Sequence, residues 1–228
     1  MKKYIIAVLF TSVALCSCGQ KDKDLDLAFP KTTWNMGKEE IMEALELTEA
    51  DIHDYGQDDV LAIEKYELFG EPAASVNFQF YDYGNDGVRE LSQVLVTYPD
   101  DADMEHVLEE MQKAYGAPDP DVTFYYPYSA LEVLTAYETK EPDSVKNWAR
   151  ESVAELIPAE EMDDFRNAWK YYQYGLNEEN WGQFVQDSRL VRISLLTDQG
   201  WNRVEFNASN LWIYETIKNE LHESDSQP

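Results

Sequence analysis

The most regular hydrophobic pattern in the chain is the alternation of Val76, Phe78 and Phe80 with more polar residues. A period of two is typical of a strand that is buried on one face. Residues 82–87 are rich in Asp, Asn and Gly and therefore predict a turn. Residues 88–98 are predicted to return as the partner strand.

Helical spacing lies on both sides of these strands. Apolar residues recur every three or four positions over residues 104–115, and Gly116 follows, so this segment predicts a helix. A shorter helix is predicted to begin after Gly37, because Glu40 stands at the third helical position and the first turn is acidic. Residues 60–69 predict another strand. The first half is therefore predicted as helix, three strands, helix.

The second half shows more helical spacing. Residues 122–128 predict a strand, and residues 130–138 fit either a helix or, by alternation, a strand. An apolar stripe predicts a helix over residues 145–156 and consists of Val145, Trp148, Ala149, Ser152, Val153 and Leu156. The remaining predicted elements are a helix with Met162, Phe165, Trp169 and Tyr172 inward that ends at Gly175, a hairpin with strands 190–196 and 201–206, and a helix over 211–221.

This order of elements favours an α+β fold, with an antiparallel sheet and helices packed on one of its faces. The chain is 44% hydrophobic and 13% aromatic, which is enough for a real core. It also has room for two subdomains of similar size. These would be an α-βββ-α subdomain over 31–116 and a mixed helix and hairpin subdomain over 117–221, with a polar tail over 222–228.

The first twenty residues have the pattern of an export signal. Lys2 and Lys3 precede an apolar run over residues 4–15, which is too short for a comfortable membrane span. The sequence Leu-Cys-Ser-Cys-Gly over residues 15–19 then resembles the lipobox of bacterial lipoprotein precursors. In such precursors an aliphatic residue, a variable residue and a small residue come before the cysteine that is lipidated.

The resemblance implies cleavage after Ser17, which makes residues 1–17 a signal peptide. Cys18 would carry the lipid, and residues 18–30 would hold the lipidated cysteine and a polar tether. Each buried acyl methylene contributes about 0.8 kcal/mol, so two or three chains anchor firmly. We therefore expect a protein of the cell membrane, lipid-anchored on the extracytoplasmic face. The alternative is an ordinary secretory signal with two incidental cysteines. If Cys16 leaves with the signal, the mature chain has a single cysteine and no disulfide.

The net charge of the chain excludes some classes of binding partner. The net charge is −27, and removal of the two lysines of the signal leaves 16 basic against 45 acidic residues, or −29. Residues 31–139 contain 5 basic and 25 acidic residues. A field of this sign repels nucleic acid and anionic membrane surfaces, so we expect neither as a partner.

The opening of the folded part resembles a family of poorly characterised acidic lipoproteins of low-GC Gram-positive bacteria. Its members begin with a W-x-M-S-K-E-E motif, which residues 34–40 match except that Gly37 replaces the serine. Leu-Phe-Gly at 68–70 and Tyr-Gly at 115–116 also fit the family pattern, so the resemblance covers residues 33–116. The layout is distantly similar to beta-lactamase-inhibitor-like and outer-membrane-assembly lipoprotein modules. The resemblance implies a binding module rather than an enzyme.

Catalytic and metal motifs are sparse in the sequence. The histidines, His53, His106 and His222, have no triad context, and the chain contains no nucleophile elbow, phosphate loop or zinc-ligand spacing. We therefore expect no cofactor. Calcium is less excluded because it takes oxygen ligands. Two clusters offer such oxygens: Asp82, Asn85 and Asp86, and Asp100, Asp101 and Asp103. A hairpin turn explains the first cluster better, and the N-cap of a helix explains the second better.

Aromatic residues crowd the second half of the chain. Most have the spacing of core residues, but Tyr171, Tyr174 and Trp181 are predicted to be exposed and to form a binding surface. The leading hypothesis is a non-enzymatic lipoprotein that binds an envelope protein or a glycan. The alternative is an envelope hydrolase that cuts glycan with paired carboxylates.

Overall fold

A computed structural model describes seven ranges of the chain between residues 27 and 224. Cys18, Tyr174 and the segments 122–128 and 130–138 lie outside the described residues, so the predictions for them stay predictions. The described ranges are 27–53, 59–85, 87–119, 145–172, 176–179, 181–198 and 201–224.

The fold is α+β and is built on a seven-stranded antiparallel sheet, which confirms the predicted class. The strand order is β1-β2-β5-β6-β9-β8-β7, and β3 and β4 form a separate small hairpin. The strands are β1 Ile52–His53, β2 Val60–Glu64, β3 Glu67–Leu68, β4 Glu71–Pro72, β5 Ser75–Tyr81, β6 Glu90–Thr97, β7 Val145–Ser152, β8 Arg189–Asp198 and β9 Trp201–Asn207.

The helices share one hydrophobic core with a single face of the sheet. The buried side chains of the helices join those of Phe78, Val94 and Phe206, whereas Ala62 and Leu196, which point to the other face, lie outside this cluster. The helices are α1 Lys38–Ala44, α2 Met104–Tyr115, α3 Val153–Leu156, α4 Met162–Tyr172, α5 Trp181–Asp187 and α6 Ser209–Ser224.

The best-patterned elements form where they were predicted. Helix α2 begins after Asp103, whose carboxylate accepts a hydrogen bond from the backbone N–H of His106 at 3.0 Å. It ends at Gly116, whose φ of +84° is a left-handed conformation that glycine adopts without a Cβ clash. Strand β5 alternates as expected, with its three apolar side chains buried and the intervening ones half-buried or exposed.

The helix predicted over residues 145–156 is wrong. Residues Val145–Ser152 form strand β7, and only Val153–Leu156 make a single helical turn. Asn147, Trp148 and Ala149 are all buried, so both faces of this strand are covered and its sequence does not alternate. Pairing along almost the whole of β8 outweighs a helical spacing that arises by chance.

Strands from both halves of the chain lie in the same sheet. β6 pairs with β9, which places Val94 opposite Phe206 and Val96 opposite Val204. The apolar side chains of both halves also join one core. The division into two subdomains stays a prediction.

The folded part begins earlier than the predicted tether allows. Leu27 and Phe29 are only 2% and 1% exposed, although residues up to 30 were assigned to the tether. The ring of Phe29 packs against Phe78 and Phe206, with centroids 5.0 and 5.6 Å apart. Leu27 and Phe29 therefore belong to the folded part, which corrects the predicted end of the tether at residue 30.

Candidate interaction surface

One part of the sheet presents polar side chains to solvent on the face away from the core. We call this surface the open face. It lies on β2, β5 and β6 and consists of Val60, Glu64, Ser75, Asn77, Gln79, Tyr81, Leu95 and Thr97. Each of these side chains is half-buried or exposed. Ala62 and Gln93 point to the same face but are buried.

The alternation of β5 creates the open face. Successive side chains of a strand point to opposite faces, so burial of Val76, Phe78 and Phe80 turns the polar residues between them outward. The register places Asn77 opposite Leu95 on β6. The surface is therefore held on a regular, hydrogen-bonded part of the sheet.

Tyr81 is the most prominent aromatic residue of the open face. It is 57% exposed, and its ring centroid lies 4.6 Å from that of Tyr83. Burial raises the pKa of Tyr83. Tyr83 is thus fixed and supports Tyr81, while Val88, at the far side of the same hairpin, is 56% exposed.

The open face is polar and carries negative charge. Glu64 lies at one corner, with its carboxylate 3.7 Å from Nδ1 of His53. Glu90 lies opposite Tyr81 in the register. Strands β2, β5 and β6 contain no Lys or Arg, and residues 59–97 hold seven acidic against two basic residues, a net charge of −5.

On the strands of the second half, β7, β8 and β9, central side chains of the same face are buried. There Ser194 donates a hydrogen bond to Asn147 at 2.7 Å, and both side chains are buried. Arg192 and Glu205 lie 3.7 Å apart, with side chains 11% and 1% exposed. The accessible area is therefore confined to the first three long strands.

The binding surface predicted from the aromatic residues is only partly exposed. Tyr171 is 82% exposed, as predicted, and its ring meets that of Tyr172 edge to face. The predicted exposure of Trp181 is wrong, since it is 6% exposed and stacks on Phe184 at 5.7 Å. Trp169 packs against the same pair, so Trp181 closes an aromatic cluster of the core.

The two acidic clusters considered as calcium sites form a turn and a helix cap instead. Asp82 accepts the backbone N–H of Gly87 at 2.9 Å, and Asp103 caps helix α2. Within the described ranges no three His, Cys, Asp or Glu side chains group closely enough to hold a metal ion. Calcium binding therefore has no structural support in this part of the chain.

Two carboxyl groups have a shifted pKa, and in both the shift is opposite to the one that a general acid needs. A side-chain hydrogen bond from Thr48 lowers the pKa of Asp51, and one from Lys113 lowers the pKa of Glu110. A general acid in glycoside hydrolysis needs a raised pKa. The paired-carboxylate hydrolase therefore gains no support from either residue.

Two further findings concern the chain as a whole. None of its described helices is both long and apolar enough to cross a bilayer. The chain matches no model of a known protein family, no characterised protein and no solved structure.

The open face was missed because its residues were considered only as half of a strand pattern. The signal lay in the identity of the polar positions, Asn77, Gln79 and Tyr81. These side chains combine hydrogen-bonding groups with an aromatic ring, which is the composition of many recognition surfaces.

Proposed function

We propose that this protein is a lipoprotein anchored through Cys18 on the extracytoplasmic face of the cell membrane. It acts there as a non-enzymatic module that binds an envelope ligand. The observation that carries the binding role is the open face, a polar strand surface that ends in the exposed ring of Tyr81. Exposed tyrosine at the edge of a polar surface favours recognition, because its ring offers both an apolar area and a hydroxyl group.

The position of Leu27 limits how far the domain can stand from the membrane. Only eight residues, 19–26, separate Cys18 from this first core residue. A fully extended chain reaches about 3.3–3.6 Å per residue, so the core begins within about 30 Å of the lipidated cysteine. The folded domain therefore begins close to the bilayer.

The anchor is tested by the mass of the mature N-terminus and by incorporation of labelled fatty acid into the full-length protein. We expect the wild-type chain to begin at an acylated Cys18 and the variant Cys18→Ser to incorporate no label. Cys16→Ser is the matched control and should be labelled normally, because Cys16 leaves with the signal peptide. Label on Cys18→Ser, or an unmodified N-terminus cut elsewhere, would contradict the anchor.

The binding role is tested separately by crosslinking the full-length lipoprotein in intact cells and purifying it under denaturing conditions. We expect one envelope component to be recovered well above the amount obtained with an unrelated lipoprotein. Recovery no higher than from cells that express an unrelated lipoprotein would contradict the binding role and would leave the anchor standing.

A further inference from the structure

We propose that the open face binds a basic protein surface, which presupposes the anchored binding function proposed above. The contact combines the tyrosine and amide side chains of β5 with the acidic corner at Glu64. The occupant is a protein that carries Lys or Arg and is accessible within the membrane-proximal layer.

The composition of the open face favours a protein over other ligands. Its centre consists of Ser75, Asn77 and Gln79, and Tyr81 stands at its end. Tyrosine with small hydroxyl and amide side chains is the composition of protein-binding loops, where rigid rings supply contact area and polar groups adapt their hydrogen bonds. Here the strand already holds these groups in place, which reduces the entropy lost on binding.

Charge decides which proteins are suitable. Glu64 is on the open face and more than half exposed, and Glu90 lies opposite Tyr81. The charged side chains of β2, β5 and β6 are all acidic, and Arg203 of β9 lies opposite Thr97 at the far edge of the face. An acidic partner would therefore be repelled from the corner at Glu64, and a basic one steered toward it. The same reasoning disfavours a second copy of this chain, since each mature copy has 16 basic against 45 acidic residues, a net charge of −29.

The size of the open face sets the expected strength of the contact. Seven residues of β5 at about 3.3 Å each, across three strands spaced about 4.8 Å apart, cover about 330 Å². Stable complexes bury about 800 Å² per partner. The contact is therefore expected to be transient and strongly dependent on salt.

The first step of the test places a benzophenone amino acid at Asn77 in the full-length lipoprotein in intact cells. The control site is Gln112, which is exposed on helix α2, the element packed on the other face of the sheet. We expect a basic protein to be captured at position 77 and not at position 112. A glycan adduct at position 77, capture of an acidic protein, or equal capture at both positions would overturn the proposed partner.

The second step titrates the captured, purified protein with wild type, Glu64→Lys and Glu109→Lys. Both substitutions reverse one exposed charge, but only Glu64 is on the open face. We expect Glu64→Lys to weaken binding about tenfold and Glu109→Lys less than twofold, because like charges oppose each other only at the interface. Affinity of the wild type should fall as salt is raised.

The failures of the two proposals are distinguishable. Salt-independent binding, or equal weakening by Glu64→Lys and Glu109→Lys, overturns the basic-protein inference and leaves the binding function intact. Capture of glycan does the same. If no adduct forms at position 77 and crosslinking of intact cells also recovers no component, both proposals fail, and only the anchor at Cys18 remains to be judged by its own mass measurement.

Discussion

The imidazole of His106 occupies the place where a Cβ atom of Gly70 would lie. Gly70 has a φ of +77° in the tight turn between β3 and β4, and His106 is on the first turn of helix α2. The end of the His106 side chain therefore lies against the backbone of this turn, and a side chain at position 70 would require the ring to move. This contact explains why Leu-Phe-Gly at 68–70 carries a glycine.

Replacement of Gly70 by Ala is expected to lower the free energy of unfolding through two effects. A left-handed alanine costs about 1 kcal/mol. Rotation of the half-exposed imidazole away from the new methyl group adds about 0.5–1.5 kcal/mol. Gly87→Ala is the matched control, because Gly87 has a φ of +86° with nothing near its missing Cβ, so only the first cost applies. Chemical denaturation measures both.

A second variant isolates the contact itself. In the double variant Gly70→Ala, His106→Ala the imidazole is gone, so most of the additional loss should disappear. If Gly70→Ala and Gly87→Ala destabilise equally, the close packing of His106 on Gly70 is contradicted.

Local patterns were sufficient for the elements whose cause is local. Strand β5 and helix α2 were predicted because alternation, a cap and a terminal glycine all lie within the segments themselves. The α+β class followed from them. The predicted helix at β7 failed because burial of Trp148 depends on β8, more than forty residues away in the chain.

The candidate site was less predictable than the fold. Trp181 has polar neighbours in sequence, yet Trp169 and Phe184 bury it. Leu27 was assigned to the tether because charged residues precede it, but it is a core residue. Exposure of a side chain depends on which distant elements cover it, and hydrophobic spacing within one segment does not contain that information.

The early start of the folded part predicts a large effect at Phe29. Phe29→Ala should lower the free energy of unfolding by about 3–5 kcal/mol, because it leaves a cavity among the buried rings around it. Tyr171→Ala is the control and should change stability by less than about 0.5 kcal/mol, since Tyr171 is largely exposed. If both variants lowered the free energy of unfolding by the same small amount, residues 27–30 would not belong to the core.

Two buried tryptophans should respond differently to replacement by Phe. Nε1 of Trp148 donates a hydrogen bond to the carbonyl of Gly116 at 2.8 Å, whereas Nε1 of Trp169 is buried without a hydrogen-bond partner. Both substitutions remove the same ring atoms, but only Trp148→Phe also loses a hydrogen bond, worth about 1 kcal/mol. Thermal or chemical unfolding should therefore show Trp148→Phe as the less stable variant, and the reverse order would contradict the assigned bond.

The buried tyrosines predict a loss of stability at alkaline pH. Burial raises the pKa of Tyr98 and of Tyr115 above the usual 10.0, and it raises the pKa of Tyr172, beside Glu220, to about 12. Above pH 10 the unfolded chain releases protons that the native chain keeps, so the free energy of unfolding falls as pH rises. For Tyr172 this fall ends near pH 12.

Denaturation of wild type and Tyr115→Phe at pH 8 and pH 11 measures one of these contributions. The variant loses the hydrogen bond from Tyr115 to the carbonyl of Ala28 and should be less stable at pH 8. It has no phenol to titrate, so the difference from wild type should narrow at pH 11. A constant difference at both pH values would show that the pKa of Tyr115 is not raised.

Tyr81 is the contact residue on which the proposed anchored binding module most directly depends. Recovery of the crosslinked envelope component from intact cells should be measured for wild type, Tyr81→Ala and Tyr171→Ala, all lipidated and equally abundant. Both tyrosines are exposed, so neither substitution should disturb the fold. We predict that Tyr81→Ala loses most of the recovered component and Tyr171→Ala retains it. Retention by Tyr81→Ala together with loss by Tyr171→Ala would contradict the open face and move the binding surface to helix α4.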